Sequence, residues 1–158
     1  MGDFSHLDKK DRPQMVDVGQ KSITDRRALA QATVILPAEI IEQLEGDELQ
    51  TKKGPVFQTA ILAGIMAVKK TSDLIPLCHP LPMTKCHVEI NFNEEKEVVI
   101  VCEAKTSGKT GVEMEALTGV TVAALTIYDM CKGFSHDIVI NEVKLMAKSG
   151  GKRNFERA

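Results

Sequence analysis

Residues Val112–Lys132 constrain the fold more than any other stretch of this chain. From Val120 to Met130 the sequence VTVAALTIYDM is apolar on nearly every side of a helix. A helix with no polar face is either buried all round or packed against a partner. Strand-like alternation lies on both sides of it. In Arg27–Leu36, the residues Ala28, Ala30, Ala32, Val34 and Leu36 share one face at period two, the pattern of a half-buried strand. Lys85–Phe92 and Glu97–Lys105 read as two strands joined by a polar turn, Asn93–Glu95, and Asp137–Ala147 returns to strand character.

Two more helices are predicted between the first strand and the second. Pro37 suits a first helical turn, and Ile40, Ile41 and Leu44 follow at helical spacing up to Gly46. A basic loop, Thr51–Pro55, leads into Val56–Lys70, where Phe57, Ala60, Ile61, Gly64, Ile65 and Val68 recur at three and four. Pro76, Pro80 and Pro82 prevent continuous helix over Thr71–Met83. The order β–α–α–β–β–α–β predicts an α+β fold: a ferredoxin-like split βαβ, antiparallel, with helices packed on one face. Residues 1–158 read as one domain, with an irregular N-terminal segment over 1–25 and a polar tail over 149–158.

Composition removes several classes of function. Twenty basic residues against 22 acidic ones leave a net charge of −2, with no Trp, one Tyr and five Phe. A nucleic-acid binder carries basic excess and stacking aromatics, so nucleic acid is not an expected partner. No apolar run approaches the ~18 residues of a membrane span, and the polar start has no secretory h-region. The expected location is the cytoplasm. Cys78, Cys86, Cys102 and Cys131 form no CxxC pair and read as free thiols.

Four features could carry chemistry. Ser107-Gly108-Lys109-Thr110-Gly111 lies between a strand and a helix like a phosphate-binding loop, but a true one needs glycine where Glu103 stands. What remains is an anion-friendly helix start with a lysine beside it. Leu77-Cys78-His79-Pro80 invites a zinc reading. The other Cys-His pair, Cys86-His87, sits in an alternating strand that points its members apart, so the ligand set is incomplete. No metal is expected, and His79 is better placed as a polar contact or an acid–base group.

The third feature is the long helix itself. Glu113 and Glu115 at its start suit the macrodipole, and Asp129 and Lys132 at its end share a face as an ordinary i,i+3 pair would. Val122 and Tyr128 bring that end toward the buried side, where a lysine's pKa falls toward the working range with a carboxylate to orient it. Met114 and Asp129 lie 15 residues apart, about 22 Å along a helix. If both ends function, the site is either long or assembled from two subunits. Fourth, Arg26, Lys53, Lys69, Lys70, Lys109, Lys132, Lys148, Lys152 and Arg153 fall mostly at element ends or in loops. Solvated surface explains them, and clustering in one cleft would suit a polyanionic small molecule.

Several strings resemble the cyclic pyranopterin monophosphate synthase family of molybdenum cofactor biosynthesis. They are Met15-Val16-Asp17-Val18, Ala63-Gly64-Ile65 through Lys69-Lys70-Thr71, Asp73 through Leu81 (DLIPLCHPL), Gly108 through Thr118 (GKTGVEMEALT) and Ala123 through Lys132 (AALTIYDMCK). The resemblance runs over about residues 4–152. It implies a ferredoxin-like fold and homohexamers built as trimers of dimers, with sites at subunit interfaces. It also implies a lyase that converts 3′,8-cyclo-7,8-dihydroguanosine triphosphate to the cyclic phosphate pterin and diphosphate. A radical iron–sulfur enzyme upstream supplies the substrate, and no metal or redox cofactor is intrinsic to the step. By position, Leu77, Cys78, His79, Met114 and Glu115 match substrate-binding residues. Asp129 matches the residue assigned as catalytic, Lys132 and Lys53 match functional lysines, and Arg26 matches a phosphate contact.

Two positions depart from the family pattern. Pro55 stands where the Lys-Gly loop usually continues with Asp, and Arg153-Asn154 follows Lys152 in place of Ser-Gly. Two rival readings stand beside the enzyme. One is a non-catalytic oligomeric protein that holds a pterin or nucleotide in the same pocket, and the other is an NTPase built on the Gly-Lys loop.

Overall fold

The computed structural model describes residues 6–158; residues 1–5 of the irregular N-terminal segment lie outside the described residues. Among the described residues, no helix or strand precedes β1 (Thr24–Ile35). β5 (Lys85–Phe92), β6 (Val98–Gly108) and β7 (Val139–Ser149) join β1 in one sheet, with the short β8 (Phe155–Glu156) at its edge. The order is β5-β6-β1-β7-β8, every neighbour antiparallel. β1 and β5 thus flank β6, while β6 and β7 flank β1. Two βαβ units are split and interleaved, which is the ferredoxin-like arrangement.

The alternation in β1 explains why helices pack where they do. Ala28 pairs with Ala104, Ala30 with Cys102, Ala32 with Ile100 and Val34 with Val98, and all eight are fully buried. Small residues in the middle of the sheet allow α4 (Glu113–Cys131) to approach it closely, with α2 (Val56–Lys69) beside it. Contact is tightest at Gly119. A Cβ there would lie 2.8 Å from both the Cys102 sulfur and a methyl of Val68, so only glycine fits where α4 meets β6 and α2. Val120 and Ile127 on the same helix are fully buried, each contributing about 1.5–3 kcal/mol relative to exposure. The expectation of an apolar helix is met on the core side. Leu125 remains 54% exposed, as do Leu62 (63%) and Met66 (54%) on the outer face of α2.

The segment between β1 and α2 differs from the expected single helix. α1 covers only Ala38–Ile41, followed by a three-stranded meander of β2 (Leu44–Glu45), β3 (Glu48–Thr51) and β4 (Gly54–Pro55). Leu44 pairs with Leu49 and Glu45 with Glu48 across Gly46-Asp47. Gly46 has φ +63°, the backbone that a two-residue hairpin turn demands. The tail also departs from expectation, because Phe155 and Glu156 pair with Lys148 and Ala147. α3 (Thr71–Leu74) is a single turn before the proline-rich loop.

Candidate active site

The two ends of α4 each build a cluster of polar side chains. At the C-terminal end, Asp129 and Lys132 stand one turn apart, and the Lys132 ammonium lies 2.8 Å from Asp129 Oδ1. Lys53 arrives from the turn between β3 and β4. Its Nζ donates to Asp129 Oδ2 at 2.8 Å and to the Asp129 main-chain carbonyl at 3.1 Å, close to the negative end of the helix dipole. The three groups line a cleft of about 440 Å³ with Phe134 and Met130.

Glu48 fixes this geometry from a distance. α2 begins at Val56, and the preceding Pro55 offers no side-chain cap. Glu48 Oε1 instead accepts from the Leu49 and Phe57 amides, both at 2.8 Å, and Oε2 accepts from the Gln58 amide at 3.1 Å. A carboxylate on the otherwise unpaired amides of a helix start is favourable in both hydrogen bonding and dipole. It ties the meander, and therefore Lys53, to the body of the domain.

Hydrogen bonds from Lys132, then from Lys53, hold the Asp129 carboxyl down at a pKa of about 2. The sequence predicted a lysine in apolar surroundings with a lowered pKa, and the structure corrects this. Lys132 is half-exposed and its pKa is raised by the hydrogen bond to Asp129. Two ammonium groups on one carboxylate make a cluster of net positive charge that can bind an anion and give up protons.

At the N-terminal end, the loop after α3 supplies Leu77, Cys78 and His79, and the first turn of α4 supplies Met114 and Glu115. All five line one cleft of about 360 Å³. His79 Nε2 lies 2.7 Å from the Val16 carbonyl. A carbonyl only accepts, so Nε2 carries the proton and Nδ1 is the nitrogen left for other duty. Glu115 is 4% exposed and, among the described residues, its carboxylate has no side-chain partner. Burial pushes its pKa up to about 6. Burial, and then the nearby Glu115 charge, also raise the Cys78 thiol.

A second, basic cleft of about 390 Å³ adjoins the first, sharing Gly111, Glu113 and Lys152 and adding Arg26, Lys148 and Arg153. The Arg26 guanidinium donates to the Gly108 and Lys109 carbonyls at 3.4 and 3.3 Å, which braces the strand-to-helix turn. Lys148 pairs with Glu113 at 2.7 Å. So four of the nine cations singled out in the sequence line one cleft, and Lys53 and Lys132 line another.

The Gly-Lys string does not wrap a phosphate. Gly108 is the last residue of β6, and Lys109 Nζ donates to the Gly19 carbonyl at 2.7 Å. Glu103 lies inside β6, paired with Lys85 and, at 2.6 Å, with Arg27. Lys85 first, and Arg27 after it, bring its pKa down to about 2. Cys86 is half-buried and His87 exposed, as their alternation requires.

Sequence reasoning missed Glu48 and the walls contributed by Val16, Val18 and Lys21. The Gly46-Asp47 turn could have announced the hairpin that carries Glu48. Nothing local marks the irregular N-terminal segment as a cleft wall. The clusters sit at opposite ends of one helix, so a single copy of the chain does not bring Asp129 near Glu115.

The sequence that carries these two clusters has counterparts among known proteins. The chain is 49% identical over 155 residues to a protein of Xanthomonas campestris pv. campestris named cyclic pyranopterin monophosphate synthase, covering 98% of this chain and 94% of that one. It is 56% identical over 158 residues to a Synechocystis protein named molybdenum cofactor biosynthesis bifunctional protein. It is 48% identical to molybdenum cofactor biosynthesis protein 1 of Dictyostelium discoideum. It spans 46% and 26% of the length of these last two relatives, respectively. Residues 15–151, which include Lys53, Leu77–His79, Met114, Glu115, Asp129, Lys132 and every strand of the central sheet save β8, match the MoaC family, and the chain belongs to that family.

Proposed function

We propose that this chain is a cyclic pyranopterin monophosphate synthase, a lyase that converts 3′,8-cyclo-7,8-dihydroguanosine 5′-triphosphate to cyclic pyranopterin monophosphate and diphosphate. The observation that carries the reading is the contact of Lys53, Asp129 and Lys132 in one ion triad, in a chain that covers 94% of the Xanthomonas synthase. Two lysines oriented on an ionised aspartate offer a positioned acid as well as an anion contact, which favours the enzyme over a protein that only holds its ligand.

The cleft chemistry supports a role for each group. Glu115 is an acceptor for the N–H edge of the base, and its burial strengthens that hydrogen bond. His79 Nδ1 accepts or donates at the base or sugar. Arg26 and Lys148, with Lys152 beside them, hold the triphosphate and neutralise the departing diphosphate, since phosphoryl chemistry depends chiefly on positioning and charge. Lys132 enters as an ammonium, oriented by Asp129, and hands protons on during ring opening and rearrangement. Lys53 shares that carboxylate and fixes its second oxygen.

The two clusters work together only if they come from different copies. The reading therefore includes self-association, as a homohexamer arranged as a trimer of dimers with sites at subunit interfaces. Exposed Leu62, Met66 and Leu125 support an additional apolar contact. The contiguous core supports residues 1–158 as one domain. No helix among the described residues is long and apolar enough to cross a membrane, which is compatible with a cytoplasmic enzyme fed by a radical iron–sulfur enzyme. Incubating purified protein with the cyclic triphosphate tests the reading. Diphosphate and cyclic pyranopterin monophosphate should appear together, and Lys132→Ala should abolish both; absence of product from the unmodified protein removes the reading.

A further inference from the structure

All four cysteines are free thiols, and their settings differ. Cys78 lines the cleft at the start of α4, and Cys131 is buried in the last turn of that helix. Cys86 and Cys102 lie outside all three clefts described above, on the neighbouring strands β5 and β6. Cys86 stands opposite Ala104, and Val88 opposite Cys102. Ala104, Cys102 and Val88 are buried on the helix side of the sheet, and side chains two apart on a strand share a face. The two sulfurs are therefore diagonal neighbours on that face, where they meet in a thiol–thiol hydrogen bond.

The pair is asymmetric. β5 is an edge of the sheet with β6 as its neighbour, and Cys86 on it is half-buried. Cys102 is fully buried beneath Gly119 of α4, so a small solute reaches Cys86 first. The hydrogen bond from Cys102 holds the Cys86 thiol below its ordinary pKa against the opposing effect of burial, and the Lys69 charge at the end of α2 adds to it. That same bond, and then burial, push Cys102 far up. Burial also raises Cys78 and Cys131. The thiolate is the reactive form, which makes Cys86 the nucleophile and Cys102 a sulfur held ready beside it.

We propose that Cys86 and Cys102 form a two-cysteine oxidation site for small hydroperoxides, in which Cys86 reacts first and Cys102 resolves it to a reversible disulfide. The Cys86 sulfur takes the terminal oxygen of the hydroperoxide. The O–O bond breaks, and the remainder leaves as water or an alcohol after gaining a proton. The Cys102 sulfur then attacks the Cys86 sulfenic acid. An S–S bond forms, the S–O bond breaks, and the hydroxyl leaves as water with the Cys102 proton. The two thiols are oxidised and the hydroperoxide is reduced. Diagonal residues stand about 7–8 Å apart between Cα atoms, at the outer limit for a disulfide. Closing the bond draws β5, held by the sheet on one side only, toward β6, and a bond strained in this way is readily reduced again.

The test treats the reduced full chain, in its native state, with hydrogen peroxide before alkylation and trypsin digestion. Cleavage after Lys85, Lys96 and Lys105 places the two cysteines on separate peptides. A disulfide-linked pair of these peptides should appear, and glutathione should restore both thiols. Peroxide should consume the Cys86 thiol about 10-fold or more faster than Cys78. Cys102→Ala should leave Cys86 as a sulfenic acid that dimedone captures, whereas the unmodified protein should yield little of that adduct. Because Cys102→Ala opens a buried position, Cys86→Ser at the sheet edge is the companion variant. It should fold normally, and Cys102 in it should stay a thiol under peroxide. Linkage of Cys86 to any cysteine other than Cys102, or its further oxidation without linkage, overturns the assignment. So does a Cys86 thiol consumed no faster than Cys78, or oxidation of Cys102 in folded Cys86→Ser.

Discussion

Lys53 and Asp129, 76 residues apart in the chain, are joined by a 2.8 Å ion pair and a second hydrogen bond to the Asp129 carbonyl. The pair links the meander to the last turn of the long helix. It also leaves the outer oxygen of the carboxylate for Lys132.

Replacing Asp129 should separate chemistry from stability. The group is half-exposed, where ion pairs add little to folding. Asp129→Asn should therefore lower kcat about 100-fold or more while leaving the thermal midpoint near neutral pH almost unchanged. The Asp129 carboxyl has a depressed pKa of about 2, so whatever it adds to stability is present above the ordinary carboxylate range and disappears only as pH falls toward 2. An acid limb of activity near pH 5 thus belongs to another group, and steady-state pH profiles check this.

Glu115 carries the opposite sign. Its pKa rises from an ordinary 4.5 to about 6, so the folded protein binds more protons than the unfolded chain between those values. Stability falls as pH rises through that window, by about 2 kcal/mol for a shift of this size. Glu115→Gln should remove that slope in urea titrations across pH 4–7 and raise stability at neutral pH. It should weaken ligand binding, because a carboxamide presents one acceptor where the carboxylate presents two.

Glu48 tests how the Lys53 turn is held. Glu48→Ala removes the acceptor for three amides and should cost about 1–2 kcal/mol, as loss of a helix cap does. Because the meander then loosens, kcat should fall as well, although Glu48 touches no reacting group. Calorimetry and turnover on the same preparation check both effects, and Glu48→Gln, which keeps one acceptor, should recover part of each.

Gly119→Ala places a methyl 2.8 Å from the Cys102 sulfur and Val68. The buried sheet and α2 cannot both retreat, so the substitution should destabilise by about 1–3 kcal/mol. This exceeds the small gain in helix propensity that alanine gives elsewhere. Denaturant midpoints measure it.

The central sheet and the long helices were legible because each is long enough for its hydrophobic period to declare itself. Val120, Ala124 and Ile127 repeat as a helix face, and Ala28, Ala30 and Ala32 repeat as a strand face. The meander was not legible. Its strands are two to four residues long, too short for an alternation to repeat more than once, and Ile40, Ile41 and Leu44 mimic a helix ahead of the Gly46 turn. The candidate site was legible as residues and not as an arrangement. Cys78, His79, Met114 and Glu115 meet because two distant elements converge, and Lys53 reaches Asp129 through a hairpin that local pattern did not show. The direction of the Lys132 shift was misread for the same reason, since only the fold reveals that Asp129 outweighs the apolar neighbours.

Mixing two inactive variants tests the central claim, that one copy's acid–amine triad serves another copy's binding cleft. Asp129→Asn spoils one half of the site and His79→Ala the other. Subunits of each, unfolded together and refolded as mixed assemblies, should regain turnover of the cyclic triphosphate, because some interfaces unite two intact halves. Mixed assemblies that stay as inactive as either parent, with oligomer formation demonstrated, would contradict a site shared between copies.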